Sequence, residues 1–149
     1  MSRPTTTSGR VAAIDLGKAR VGLAVSDELQ MLAHPRPALP GGNPGRLAAE
    51  LAALAEREGI DRFLVGLPLT MSGEAGVAAQ RAIRFCQRLA DVSGRDVELV
   101  DERLSTVQAS QTLRAAGLDA RAQKSHLDGA AAAILLQRWL DARAPSVDT

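Results

Sequence analysis

The sequence predicts an α/β domain with a partly parallel sheet. Three observations carry that prediction: apolar runs of strand length, Leu and Ala recurring at helical spacing between them, and Gly/Pro clusters at the junctions. Val11–Leu16 and Val21–Val25 read as strands joined in a hairpin at Gly17-Lys18-Ala19. A third short strand is expected around Met31–Ala33, followed by a loop carrying Pro35, Pro37, Pro40, Gly41, Gly42 and Pro44. Leu47, Leu51 and Leu54 place a helix over about Gly45–Glu58, with Gly59 as its stop. Asp61–Leu67 is the next strand and releases into a loop over Pro68–Gly76. A helix over Val77–Val92 and a half-buried strand over Asp96–Val100 follow. Ser105-Thr106-Val107-Gln108 has the spacing of a capping box that opens another helix. A last helix covers Ser125–Ala142. Residues 1–10 are expected to be a frayed arm, 11–142 one domain, and 143–149 a tail. No internal repeat or domain linker interrupts this order.

A chain of 149 residues, 46% of them hydrophobic, is large enough for one core without disulfide staples. It has no Tyr, one Trp and two Phe, which argues against a surface built on aromatic base stacking. Cys86 stands alone, so neither an intrachain disulfide nor a cysteine zinc site is available, and a reduced, cytoplasmic setting is expected. No apolar stretch approaches the roughly 20 residues of a membrane span, and Met1–Arg10 has no signal-peptide core. Net charge is only +1, but the cations are dominated by arginine, whose planar fork suits phosphate oxygens. GC-rich coding would leave the same bias.

Asp15 is the most informative residue, because it interrupts the apolar strand Val11-Ala12-Ala13-Ile14-Asp15-Leu16. A charge in such a strand must be exposed at its end, paired, or bound to a cation. Glu102 lies just beyond the Asp96–Val100 strand, and Asp128 in the first turn of the last helix. Groups past the C-terminal ends of parallel strands converge on one sheet edge, and a helix laid there adds a third. Three carboxylates with no His/Cys cluster form a hard oxygen site suited to Mg²⁺ or Mn²⁺. Two such ions about 3.5–4 Å apart activate water and stabilise a leaving oxygen in phosphodiester cleavage. Each acid also has a structural alternative: a turn before Gly17, a solvated strand end, and a capping-box acid after Ser125.

Other chemistries find little support. There is no GxxxxGK[ST], GxGxxG or HExxH motif; His34 and His126 are too few for a metal pair, and Ser72 and Ser105 lack a triad context. Arg81, Arg84 and Arg88 form one basic stripe on the second helix, with a solvated face as the alternative. Arg20, Arg103, Arg121 and Lys124 flank the acid-bearing segments and are the stronger phosphate-contact candidates. Gly66, Gly73 and Gly76 would let backbone amides in the Pro68–Gly76 loop approach a phosphate.

In that order, the segments AIDLGKARVGLAVSD, FLVGLPLTMSGEAG, VDERLSTVQAS and KSHLDGAAAAILLQRWL resemble the YqgF (RuvX) family. These are small ribonuclease H-like proteins regarded as pre-16S rRNA nucleases and related to Holliday junction resolvases. The resemblance covers about Val11–Leu140. It implies a mixed five-stranded sheet opening with an antiparallel hairpin, and a metal-binding triad of Asp15, Glu102 and Asp128. The implied role is endonucleolytic maturation of the 5′ end of 16S rRNA on pre-ribosomal particles; resolution of branched DNA by a homodimer is the competing role. A non-catalytic RNA-binding assembly factor is a third reading, and an actin-like ATPase a fourth that the chain's length disfavours. Two departures from the family pattern stand out. Ala19 occupies the place before Arg20 where the family commonly has a basic residue, and Lys18 falls on the opposite alternation. Ala131 follows Asp128 by one turn, where the junction resolvases carry another acid, so a second metal is expected to bind weakly or only with substrate.

Overall fold

A computed structural model describes residues 9–17, 19–68, 76–102 and 127–143. The chain runs β1 (Arg10–Leu16), β2 (Arg20–Ser26), β3 (Ala33–Pro40), α1 (Pro44–Glu58), β4 (Ile60–Leu67), α2 (Val77–Ser93), β5 (Asp96–Asp101) and α3 (Leu127–Arg143). The five strands form one sheet in the order β3-β2-β1-β4-β5. β1 pairs antiparallel with β2, and β2 with β3; β1–β4 and β4–β5 are parallel. The partly parallel sheet and its opening hairpin are as the sequence predicts. The helix expected from Ser105 and the start of the last helix at Ser125 fall outside the described residues. Among the described residues no helix is long and apolar enough to cross a membrane.

Strand alternation sorts the core into two layers. Ala12, Ile14, Val21, Leu23, Phe63 and Val65 turn to one face, where α1 and α2 cover them with Leu47, Leu51, Phe85 and Leu89. Val11, Ala13, Ala24, Leu64 and Val100 turn to the other face, under Ala132, Ala133, Leu136 and Trp139 of α3. α1 starts where Asn43 caps the Arg46 N–H (3.0 Å) and Pro44 takes a first-turn position that needs no donor. It stops at Gly59, whose left-handed φ of 69° suits glycine and lets its N–H close on the Ala55 carbonyl.

The third strand differs from expectation. It spans Ala33–Pro40, so the proline-rich stretch assigned to a loop is strand as far as Pro40. β3 is the outermost strand on its side of the sheet. Pro35 pairs with Ala24, and Pro37 falls where the register shifts between Arg36 and Leu39; an outermost strand and an irregularity are the places where a sheet tolerates proline. The Arg36 guanidinium then makes a two-point pair with Glu58 (2.6 and 3.1 Å), tying this edge to the end of α1.

α3 is fastened to both sides of the sheet. Buried Gln137 accepts from the Ala33 N–H (2.8 Å) and donates to the Met31 carbonyl and the Asp141 carboxylate (both 3.0 Å). At the other side, the Trp139 indole donates to Glu98 (3.2 Å) and Arg138 donates to the Asp101 carbonyl (2.8 Å).

Candidate metal centre

Asp15 is the second-last residue of β1, and it shares the α3-facing alternation of Val11 and Ala13. Glu102 follows β5 directly and shares the alternation of Val100, which also faces α3. β4 lies between these two strands, so a side chain on β4 would keep the acids apart. The β4 residue at that place is Gly66. A Cβ built on it would fall 2.3 Å from Glu102 Oε1 and 2.7 Å from its carboxyl carbon. The empty side-chain position of Gly66 is therefore filled by the Glu102 carboxyl group. On the other flank Asp15 pairs with Gly22 of β2. Ile14 pairs with Val65 on β4, so one step further Asp15 comes level with Gly66. Both glycines are buried, and neither puts a side chain of its own beside Asp15.

The two acids make direct contact. Burial pushes the Glu102 carboxyl up to about 8 from its ordinary 4.5, helped by a hydrogen bond with Asp15 and the negative charges of Asp15 and Asp101. Two carboxyl groups in contact are oxygen donors of the kind that hard cations take. The backbone brings the third acid's segment to the same face. Asp128 lies in the first turn of α3, and a Cβ on the next residue, Gly129, would sit 2.8–3.0 Å from backbone atoms of Arg36 and Leu23. Leu23 is the neighbour of Gly22, so the first turn of α3 rests beside the strand that flanks Asp15. The Asp128 side chain lies outside the described residues, and within those residues no three metal-ligating side chains come together.

The predicted phosphate contacts divide three ways. Arg20 opens β2 on the hairpin next to Asp15 and is exposed. Arg103, Arg121 and Lys124 lie outside the described residues, as does Lys18. Arg81, Arg84 and Arg88 share one cavity on the opposite, α1/α2 side of the sheet. Gly66, at the end of β4, makes room for Glu102, and most of the loop expected to approach a phosphate lies outside the described residues. Sequence reasoning did not single out Arg138, whose bond to the Asp101 carbonyl holds the strand end that carries Glu102. An arginine on the polar side of a helix gives no sequence signal for such a role.

Residues 9–142 match a protein family described as "RuvX: Holliday junction resolvase". The chain belongs to the RuvX family. A relative from Anaeromyxobacter dehalogenans (strain 2CP-1 / ATCC BAA-258), named "Putative pre-16S rRNA nuclease", is 43% identical over 91% of this chain and 99% of its own length. Another with the same name from Chloroflexus aggregans is 42% identical over 89% of this chain and 94% of its own. Among solved structures, this RuvX-family chain is similar to Thermus thermophilus RuvC in complex with a Holliday junction substrate. The TM-score is 0.61, with 21% identity over 91% of this chain and 95% of that one. The fowlpox virus Holliday junction resolvase superposes with a TM-score of 0.54 at 14% identity, over 89% of this chain and 99% of that one. The mixed five-stranded, ribonuclease H-like architecture implied by the family resemblance is thus borne out.

Proposed function

We propose that this protein is a divalent-metal-dependent endonuclease that processes the 5′ end of pre-16S rRNA. The observation that carries the reading is the contact between Asp15 and Glu102 across Gly66, in a chain whose 43%-identical relative is named for that reaction. The donor set fits a hard cation: oxygen ligands, no thiolate or imidazole among them, and a proton on Glu102 that a cation would replace. Asp15, Glu102 and Asp128 would hold Mg²⁺ or Mn²⁺, one ion or two. Bound there, the cation supplies Lewis acidity toward a phosphodiester oxygen and lowers the pKa of water.

The chain's own residues supply the rest. Gly66 leaves room for the Glu102 carboxyl to reach Asp15, and Gly22 adds no side chain on the other flank. The Arg138 bond to Asp101 keeps Glu102 over Gly66, and packing of Gly129 on β2 and β3 sets where Asp128 enters. Arg20 on the hairpin, with Arg103, Arg121 and Lys124, would grip flanking phosphates, each adding to the salt dependence of binding. A reduced cytoplasmic compartment suits a chain whose one cysteine, Cys86, is a buried thiol.

The family description favours a second reading, cleavage of branched DNA, which requires two active sites and hence a dimer. One assay separates the two. Purified protein is incubated with pre-16S rRNA fragments and with four-way DNA junctions, in Mg²⁺ or Mn²⁺, beside Asp15→Asn. The expected result is RNA cleavage by the wild type and none by the variant. Cleavage that persists in Asp15→Asn would remove the metal-site assignment. Cleavage of junctions alone, by a dimer, would move the function to DNA, and no cleavage of either would leave an RNA-binding assembly factor.

A further inference from the structure

A cavity of about 270 Å³ opens on the α1/α2 side of the sheet, at the end of β1. Leu16 and Gly17 form one wall, the Gly41-Gly42-Asn43 turn before α1 another, and Arg81, Arg84 and Arg88 of α2 the third. Its floor is apolar, from Val21, Leu47 and Phe85. Among the described residues no acidic residue lines it. Among the described residues none of the three arginines makes an ion pair or a hydrogen bond. Three like charges gathered around one cavity repel one another, and no acid among the described residues offsets them there.

The opposite wall adds to the positive field. The first turn of α1 has no acidic residue, so its N-terminal partial charge is uncompensated. Asn43 occupies the Arg46 N–H with its side chain and the Leu47 N–H with its carbonyl, leaving Gly45 as the first-turn donor it does not take. A Cβ on Gly45 would lie 3.0 Å from Arg88 Nη1, so the guanidinium sits directly against that turn. Planar guanidinium forks and backbone amides facing one space are a phosphate-binding combination.

Position then says whose phosphate. Asp15 and Leu16 are neighbours, about 3.3 Å of strand apart, but they point to opposite faces of the sheet. The acid pair and the arginine cavity therefore lie on two sides of the same strand end. We infer that this cavity is a phosphate-binding subsite that takes a backbone phosphate of the nucleic-acid strand lying across the end of β1, away from the phosphate at the acids. The inference rests on the nuclease reading for the identity of that strand. It assigns Arg81, Arg84 and Arg88 to holding and orienting substrate, not to the reacting atoms.

The test uses full-length Asp15→Asn protein, without added metal, and an RNA stem with a single-stranded flank. Binding is followed by fluorescence anisotropy from low to moderate salt, with and without Arg81→Gln/Arg84→Gln/Arg88→Gln. Arg46→Gln, an exposed α1 arginine outside the cavity, serves as the control. The expected result is affinity lowered by about tenfold or more and a salt slope reduced by about 2, from three contacts at roughly 0.7 each for single strands. The control should change neither. In parallel, inorganic phosphate is titrated while the amide NMR signals of Gly42, Asn43 and Gly45 are followed. A folded triple variant with unchanged affinity and salt slope would overturn the inference, whatever the wild type cleaves. Loss of phosphate binding with RNA affinity intact would also overturn it, by giving the cavity to a free anion. Failure of the nuclease reading looks different: the wild type cuts nothing, while the triple variant still binds RNA more weakly.

Discussion

Replacing Glu102 by Gln tests the acid pair without any substrate. In the folded chain the Glu102 carboxyl holds its proton up to about 8, because burial, the hydrogen bond with Asp15 and two nearby negative charges all disfavour its ionised form. The sign follows from linkage. Below about 4.5 the folded and unfolded chains both carry the proton and the shift costs nothing. As pH rises from there the unfolded chain releases it first, so stability falls through the window and the penalty is complete above about 8. Each tenfold change in proton affinity is about 1.4 kcal/mol. Glu102 is only half-buried and solvent screens it, so the discounted penalty is about 1–2 kcal/mol. Gln keeps the shape and a hydrogen bond to Asp15 but has no proton to lose. Urea unfolding in a chelator between pH 5 and pH 9 should therefore show the wild type losing about 1–2 kcal/mol that Glu102→Gln retains. At pH 8, Mn²⁺ should restore the wild type and leave the variant nearly unmoved. Parallel pH curves for the two proteins, or a variant less stable than wild type at pH 9, would refute the reasoning.

Three further substitutions probe the frame around the pair. Gly66→Ala puts a methyl into the place of the Glu102 carboxyl; a flexible side chain can swing away, so stability should fall by less than about 1 kcal/mol while Mn²⁺ affinity measured calorimetrically drops tenfold or more. Gly129→Ala meets backbone at 2.8–3.0 Å, which cannot swing away, so thermal unfolding should register a loss of about 1–3 kcal/mol together with lost cleavage, as the first turn of α3 lifts from β2 and β3. Gln137→Leu leaves the Ala33 N–H, the Met31 carbonyl and Asp141 without their partner, and should cost about 2–4 kcal/mol in urea unfolding with little change in metal affinity.

The strands that pack on both faces were legible because burial writes a dense apolar run, as in β1 and β4, and α1 was legible from Leu47, Leu51, Leu54 and the Gly59 stop. β3 was not. Its three prolines signal a loop unless the strand is known to be outermost, and strand order is a property of the sheet, not of the local sequence. The acids show the same division. Asp15 could be singled out alone, since a charge in an apolar strand is locally anomalous. Glu102 looked like any strand-end acid until Gly66, 36 positions earlier in the chain, proved to be the space it fills. Arg81, Arg84 and Arg88 could be grouped by helical spacing, but which side of the sheet they serve depends on where α2 packs.

The strand charge that is costly in isolation is thus placed where its cost depends on what occupies the site. Asp15 stands between glycines of both neighbouring strands, and Glu102 bends over Gly66, so the two carboxyls meet because β4 presents no side chain there. Filling the Gly66 position would part the acids, and with them the paired oxygen donors that the proposed cation needs. The sheet edge is accordingly less stable without a cation than an apolar edge would be. In the proposed function a cation between the acids would reverse that balance, and the nucleic-acid strand would be held against the arginines on the far side of β1.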